Sequence, residues 1–144
     1  MMHLLSAARS GWQRFTFNRA QTIHEGLLLD VTETAQQAGF RWPVALTRSV
    51  WSNCVQWSPS DSKDQVTQDE AERLWDVLML AANAARHAPQ EARDILYRLY
   101  RVPRDGRITK PCLVRLHLRA HAGHAAEPVV TISLQSEAQP LTSV

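Results

Sequence analysis

In Leu113-Val114-Arg115-Leu116-His117-Leu118-Arg119-Ala120 apolar and basic side chains alternate residue by residue from Val114 onward. A period of two is the mark of a strand with one covered and one open face. Val114, Leu116, Leu118 and Ala120 would share the covered face. Arg115, His117, Arg119 and then His121 would share the open one. Such a strand needs a partner strand and a layer over its apolar side, so this stretch sets the fold class.

Reading outward, Pro103-Arg104-Asp105-Gly106-Arg107 has the composition of a hairpin turn. Before it, residues 95–102 are rich in β-branched and aromatic residues. After it, Gly123 and His124 mark a turn, and Val130, Ile132 and Leu134 give a third strand its apolar face. Upstream the period becomes helical. Thr67-Gln68-Asp69-Glu70 reads as a capping box opening a helix through Leu74, Val77, Leu78 and Ala81 to about His87. Thr47 caps a helix through Val50, Trp51, Cys54 and Val55. Asp30 and Glu33 open another that stops at Gly39, and Arg19 to Gly26 forms a short one. Leu27–Leu29 is a buried apolar run, 57–65 an exposed loop and Phe15-Thr16-Phe17 a short strand. The expectation is one α+β domain over residues 15–136. About three N-terminal helices would pack on a C-terminal three-stranded antiparallel β-meander, between an arm at 1–14 and a flexible tail at 137–144.

At 144 residues, 44% hydrophobic and 21% charged, the chain has the composition of one globular domain. No run of 18 apolar residues predicts a transmembrane helix. Arg9 and Arg14 follow the apolar Met1–Leu5 segment instead of preceding it, which argues against a signal peptide and for the cytoplasm. Of 16 basic residues only Lys63 and Lys110 are lysine, which leaves 14 arginines. Arginine presents a planar fork suited to carboxylates and phosphates. Charge is uneven: acids crowd 61–76, and nine basic residues fall between Arg86 and Arg119.

Few residues suggest chemistry. His117 and His121 share a strand face but stand roughly 13 Å apart at 3.3 Å per residue, too far for one ion even with His124 nearby, so no metal site is expected. Cys54 and Cys112 have no CxxC or zinc spacing, and Cys54 sits in an apolar helical stripe, so both read as free thiols. No nucleophile elbow, zinc-protease, P-loop or dinucleotide-binding motif is present. No catalytic residue and no cofactor is therefore expected. The candidate binding surface is a basic face of Arg98, Arg101, Arg115, His117, Arg119 and His121. Trp12 and Trp42 are candidate partner anchors.

Four blocks in order extend this reading: 17–31 (FNRAQTIHEGLLLDV), 34–51 (TAQQAGFRWPVALT then Val50-Trp51), 73–78 (RLWDVL) and 96–103 (LYRLYRVP). Together they resemble a bacterial domain of unknown function carried on plasmids, integrative elements and phages. The resemblance spans about residues 15–135. It implies an accessory protein of a mobile element that binds a host protein or nucleoprotein complex, in the sense of an anti-defence factor. It brings no catalytic residue. The alternative reading is a nucleic-acid-binding protein that uses the Arg/His-rich sheet face.

Overall fold

The computed structural model describes residues 19–123 and 125–137. The arm at 1–14 with Trp12, the expected strand at Phe15–Phe17, His124 and the tail beyond residue 137 lie outside them.

Among the described residues five strands form one sheet. They are β1 (Leu28–Asp30), β2 (Val44–Thr47), β3 (Asp94–Arg101), β4 (Cys112–Ala122) and β5 (Pro128–Leu134), in the order β1-β2-β5-β4-β3. β1 pairs with β2, β4 with β5 and β3 with β4 antiparallel, whereas β2 and β5 run parallel. The α+β class holds, but the three-stranded antiparallel meander is corrected to a five-stranded mixed sheet. The meander exists as β3-β4-β5, and the sheet continues past β5 into two strands from the N-terminal half. Val44, Ala45 and Leu46 are fully buried. A strand covered on both faces carries no alternation to read, and three-residue β1 is too short to show any period.

The helices are α1 (Arg19–His24), α2 (Thr32–Ala38), α3 (Arg48–Val50), which runs into a π-helical turn at Trp51–Val55, α4 (Pro59–Asp64) and α5 (Glu70–His87). Gly39 ends α2 in the left-handed conformation, φ 113°. Thr47 Oγ1 accepts from the Val50 amide and caps α3. The stretch expected as an exposed loop contains α4. There Ser58 and Asp61 bond each other's backbone amides in a capping box, with Pro59 in the first turn. The box expected at Thr67 does not form. Asp69 is the N-cap without a side-chain bond, and Glu70 instead accepts from the Trp57 amide.

α5 lays Val77, Leu78, Ala81, Ala82 and Ala85 over Ile95, Tyr97, Leu99, Leu116, Leu118, Ala120, Val130 and Ile132. Its alanines carry nothing beyond Cβ, so the helix sits close on the sheet. Burial pushes the Tyr97 hydroxyl well above its ordinary range, and it donates to the Val77 carbonyl. Arg73, 2% exposed, lies 4.5 Å from the Trp57 ring centre and donates to the Val55 and Val102 carbonyls and to Gln68 Oε1. This side chain ties α5, the π turn and the end of β3 together. One face of the sheet is thereby sealed, and what remains for binding is the other.

Candidate functional site

The β3–β4 register decides which side chains share the open face. Asp94 lies opposite Arg119, Leu96 opposite His117, Arg98 opposite Arg115 and Tyr100 opposite Leu113. Side chains directly opposite in an antiparallel pair project to the same face. Arg98, Arg115, Leu96 and Tyr100 are exposed on it. Arg101 is not. Two faces alternate along a strand, so a residue three positions from Arg98 turns to the opposite side. Arg101 is 5% exposed under α5, donates to the Arg73 carbonyl and lies 3.6 Å from Asp76. Arg101 therefore leaves the expected basic face. Trp42 is half-buried and packs against the core, and Trp12 lies outside the described residues.

The remaining basic residues form a bonded cluster. His117 Nε2 lies 2.9 Å from Asp94 Oδ1, and Arg119 Nε donates to the same oxygen at 2.8 Å. Burial opposes ionisation of Asp94, but the hydrogen bonds and charges of Arg119 and His117 outweigh it and hold the carboxyl below its ordinary range. His121 is 3% exposed, with Nε2 2.9 Å from Thr131 Oγ1 and Nδ1 3.2 Å from the Ala122 carbonyl. Burial, then the nearby Arg19, lowers its imidazole to about 4. It is thus a neutral hydrogen-bonding group at pH 7.

Arg19 of α1 reaches the same cluster from across 112 residues of chain. Its Nη1 donates to Thr131 Oγ1 at 2.6 Å and its Nη2 to the Val130 carbonyl at 3.1 Å. α1 thereby rims a cavity of about 430 Å³ on the open face. Arg19, Arg48 and Arg119 line it together with His117, His121, Thr47, Thr131, Ser133 and Glu137, and Leu27 and Leu28 supply apolar wall. Glu137 accepts from Thr47 Oγ1 and from the Leu134 amide, so one of its oxygens is already engaged. Three guanidinium groups and several hydroxyls around one cavity suit an oxyanion such as a phosphate.

Burial pushes the Cys54 thiol up to about 11, and Cys112 is exposed with its thiol 3.7 Å from the Lys110 carbonyl. Among the described residues no group of three or more His, Cys, Asp or Glu could hold a metal ion. Among the described residues no helix is long and apolar enough to cross a membrane. Arg19, Asp94, Thr131 and Ser133 belong to the site although no sequence pattern marks them. Strand register and the placement of α1 bring them in.

Residues 14–138 match the model of a family of unknown function, DUF6573. The chain belongs to this family. The DUF6573 match takes in all five strands, α1 and the whole open face, so the cavity and the exposed arginines lie inside the family domain. Comparison with curated proteins and with solved structures found no match.

Proposed function

We propose that this DUF6573 protein is a non-catalytic binding module that takes single-stranded nucleic acid across the open face of its sheet. The observation that carries the reading is the juxtaposition of exposed Arg98, Arg115 and Tyr100 on β3 and β4 with the arginine-lined cavity beside them. Backbone phosphates would lie on Arg98 and Arg115, a base would stack on Tyr100, and one phosphate would enter the cavity toward Arg48. Open sheets with exposed aromatics and flanking cations support single-strand binding by stacking and counterion release. The mobile-element setting implied by the resemblance to domains of bacterial plasmids, integrative elements and phages belongs to the same proposal.

The test is fluorescence anisotropy with labelled single-stranded DNA and RNA at about 50 mM salt, followed by a salt titration. Arg98→Ala with Arg115→Ala is expected to reduce the slope of log affinity against log salt by about 2, one per phosphate contact. Tyr100→Ala is expected to cost about 1–3 kcal/mol of binding. Absence of binding at low salt, or a slope unchanged in the double variant, rejects the reading. The exposure of Leu96 and Tyr100, 61% and 65%, favours a second reading: a host protein or nucleoprotein complex, as for an anti-defence factor. That reading calls for a stoichiometric host protein that co-purifies with the wild type and is lost from Tyr100→Ala.

A further inference from the structure

The two edges of the sheet are unlike. β1 closes one edge with three residues, whereas β3 closes the other with eight, Asp94–Arg101. Short edge strands, prolines, lysines and bulges are the usual means by which an edge is kept from pairing. β3 is long and has no proline, lysine or bulge: its sequence is DILYRLYR, its register to β4 runs unbroken from Asp94 to Arg101, and the charges it does carry are of both signs, Asp94 and Arg98 on the open face and Arg101 beneath the helix.

The direction of its main-chain groups follows from one bond. The Ala120 amide donates to the Arg93 carbonyl, so Arg93 and Ala120 form a hydrogen-bonded pair, and such pairs recur at every second residue. Ile95, Tyr97, Leu99 and Arg101 therefore bond β4. The N–H and C=O groups of Leu96, Arg98 and Tyr100 point outward, and among the described residues they take no hydrogen bond. Among the described residues Leu96 and Tyr100 are also the two most exposed large apolar side chains, at 61% and 65%.

We infer that the β3 edge is a dimer interface, where a second copy of this chain adds its own β3 antiparallel about a two-fold axis through Leu96. The sequence is self-complementary in that register. Leu96 meets Leu96 of the second copy, and Asp94 lies opposite Arg98 of the second copy at both ends of the pairing. Moving the axis to Arg98 would instead oppose two arginines directly. Asp94 Oδ1 already holds His117 and Arg119, so the arginine of the second copy would bond the other carboxylate oxygen. Among the described residues each chain has a single long edge, so the pairing closes at two copies and does not propagate. The dimer would join two open faces into one ten-stranded surface. This inference goes beyond the nucleic-acid reading and stands without it.

Sedimentation velocity on nucleic-acid-free protein, from low to high micromolar concentration, is expected to show the mass rising from one chain to two. Leu96→Pro deletes one outward N–H and leaves the ladder to β4 intact. Leu96→Lys places two like charges on the axis. Both are expected to hold the mass at one chain with the far-ultraviolet circular dichroism of the wild type, and the lysine variant decides if the proline variant fails to fold. In a Cys112→Ser background, Leu96→Cys is expected to form a disulfide-linked dimer and Arg98→Cys is not, because only residue 96 meets its own copy. A chain that stays monomeric throughout, a dimer that survives Leu96→Lys, or cross-linking through residue 98 in place of 96 overturns the inference.

Discussion

Acidification below neutrality is expected to destabilise the fold through His121. The imidazole is 3% exposed between Thr131 Oγ1 and the Ala122 carbonyl. Burial and then Arg19 hold it at about 4 against an ordinary 6.5. The charge of Arg119 adds to that lowering, and the Ala122 carbonyl and the charge of Asp94 oppose it. A base whose folded value lies below its unfolded one binds fewer protons in the fold. Stability is therefore full above about pH 6.5 and is lost as pH falls from there toward about 4. At about 1.36 kcal/mol for each pH unit the loss is on the order of 3 kcal/mol, a large part of the stability of a domain this size. Asp94 is held below its ordinary 3.8, so what it contributes is lost at more acid pH and does not overlap. The assay is urea unfolding followed by tryptophan fluorescence at several values between pH 7.5 and 4.5, for the wild type and for His121→Gln. Glutamine can bond Thr131 but cannot titrate, so the variant is expected to lose markedly less stability over the same range. Parallel curves for the two proteins would refute the reasoning, as would an imidazole that titrates near 6.5 by proton NMR.

Arg73→Ala leaves the buried carbonyls of Val55 and Val102 without their donor and uncovers the Trp57 ring. At about 1–3 kcal/mol for each orphaned group, the expected destabilisation is roughly 3–5 kcal/mol by urea titration, and less than 1 kcal/mol would contradict the role assigned to it. Gly39→Ala is expected to cost about 1–2 kcal/mol, all of it from the backbone: φ is 113°, and the nearest atom to an added Cβ is Arg86 Nη1 at an ordinary 3.7 Å. Thermal unfolding checks this, with no change expected in nucleic-acid binding.

Which parts of the fold were legible follows from where water lies. β4 advertises itself because its two faces meet different surroundings, and the same holds for β5 and for the apolar stripe of α5. Val44–Leu46 meets protein on both sides, and its three apolar residues read equally as the approach to the helix that Thr47 caps. Ser58 and Asp61 form a capping box that stands in the sequence, yet α4 buries no residue, so no apolar period supports it. The misplaced Arg101 has a simpler cause. Arg98 and Arg101 look alike in composition, but an odd separation along a strand sends them to opposite faces, one to solvent and one beneath α5.

The site was less legible than the fold because its charges are set by pairing across strands. Read singly, Arg115, His117, Arg119 and His121 suggest an open, fully charged stripe. In the structure Asp94 neutralises the Arg119 end, His121 is a buried neutral group, and Arg19 arrives from the other end of the chain to replace charge on the β5 side. The cationic character has thus moved outward to Arg98 and Arg115 and inward to the cavity rim at Arg19 and Arg48. An extended polyanion that touched only the exposed pair would gain little specificity from a sheet so built. A phosphate seated in the cavity would add hydrogen bonds from fixed donors, and fixed donors are what distinguish a site from a charged surface. Arg48→Ala is the substitution that separates these two cases: it should weaken binding well beyond the loss of one surface charge if the cavity takes a phosphate, and by no more than Arg115→Ala alone if the strand lies only on the face.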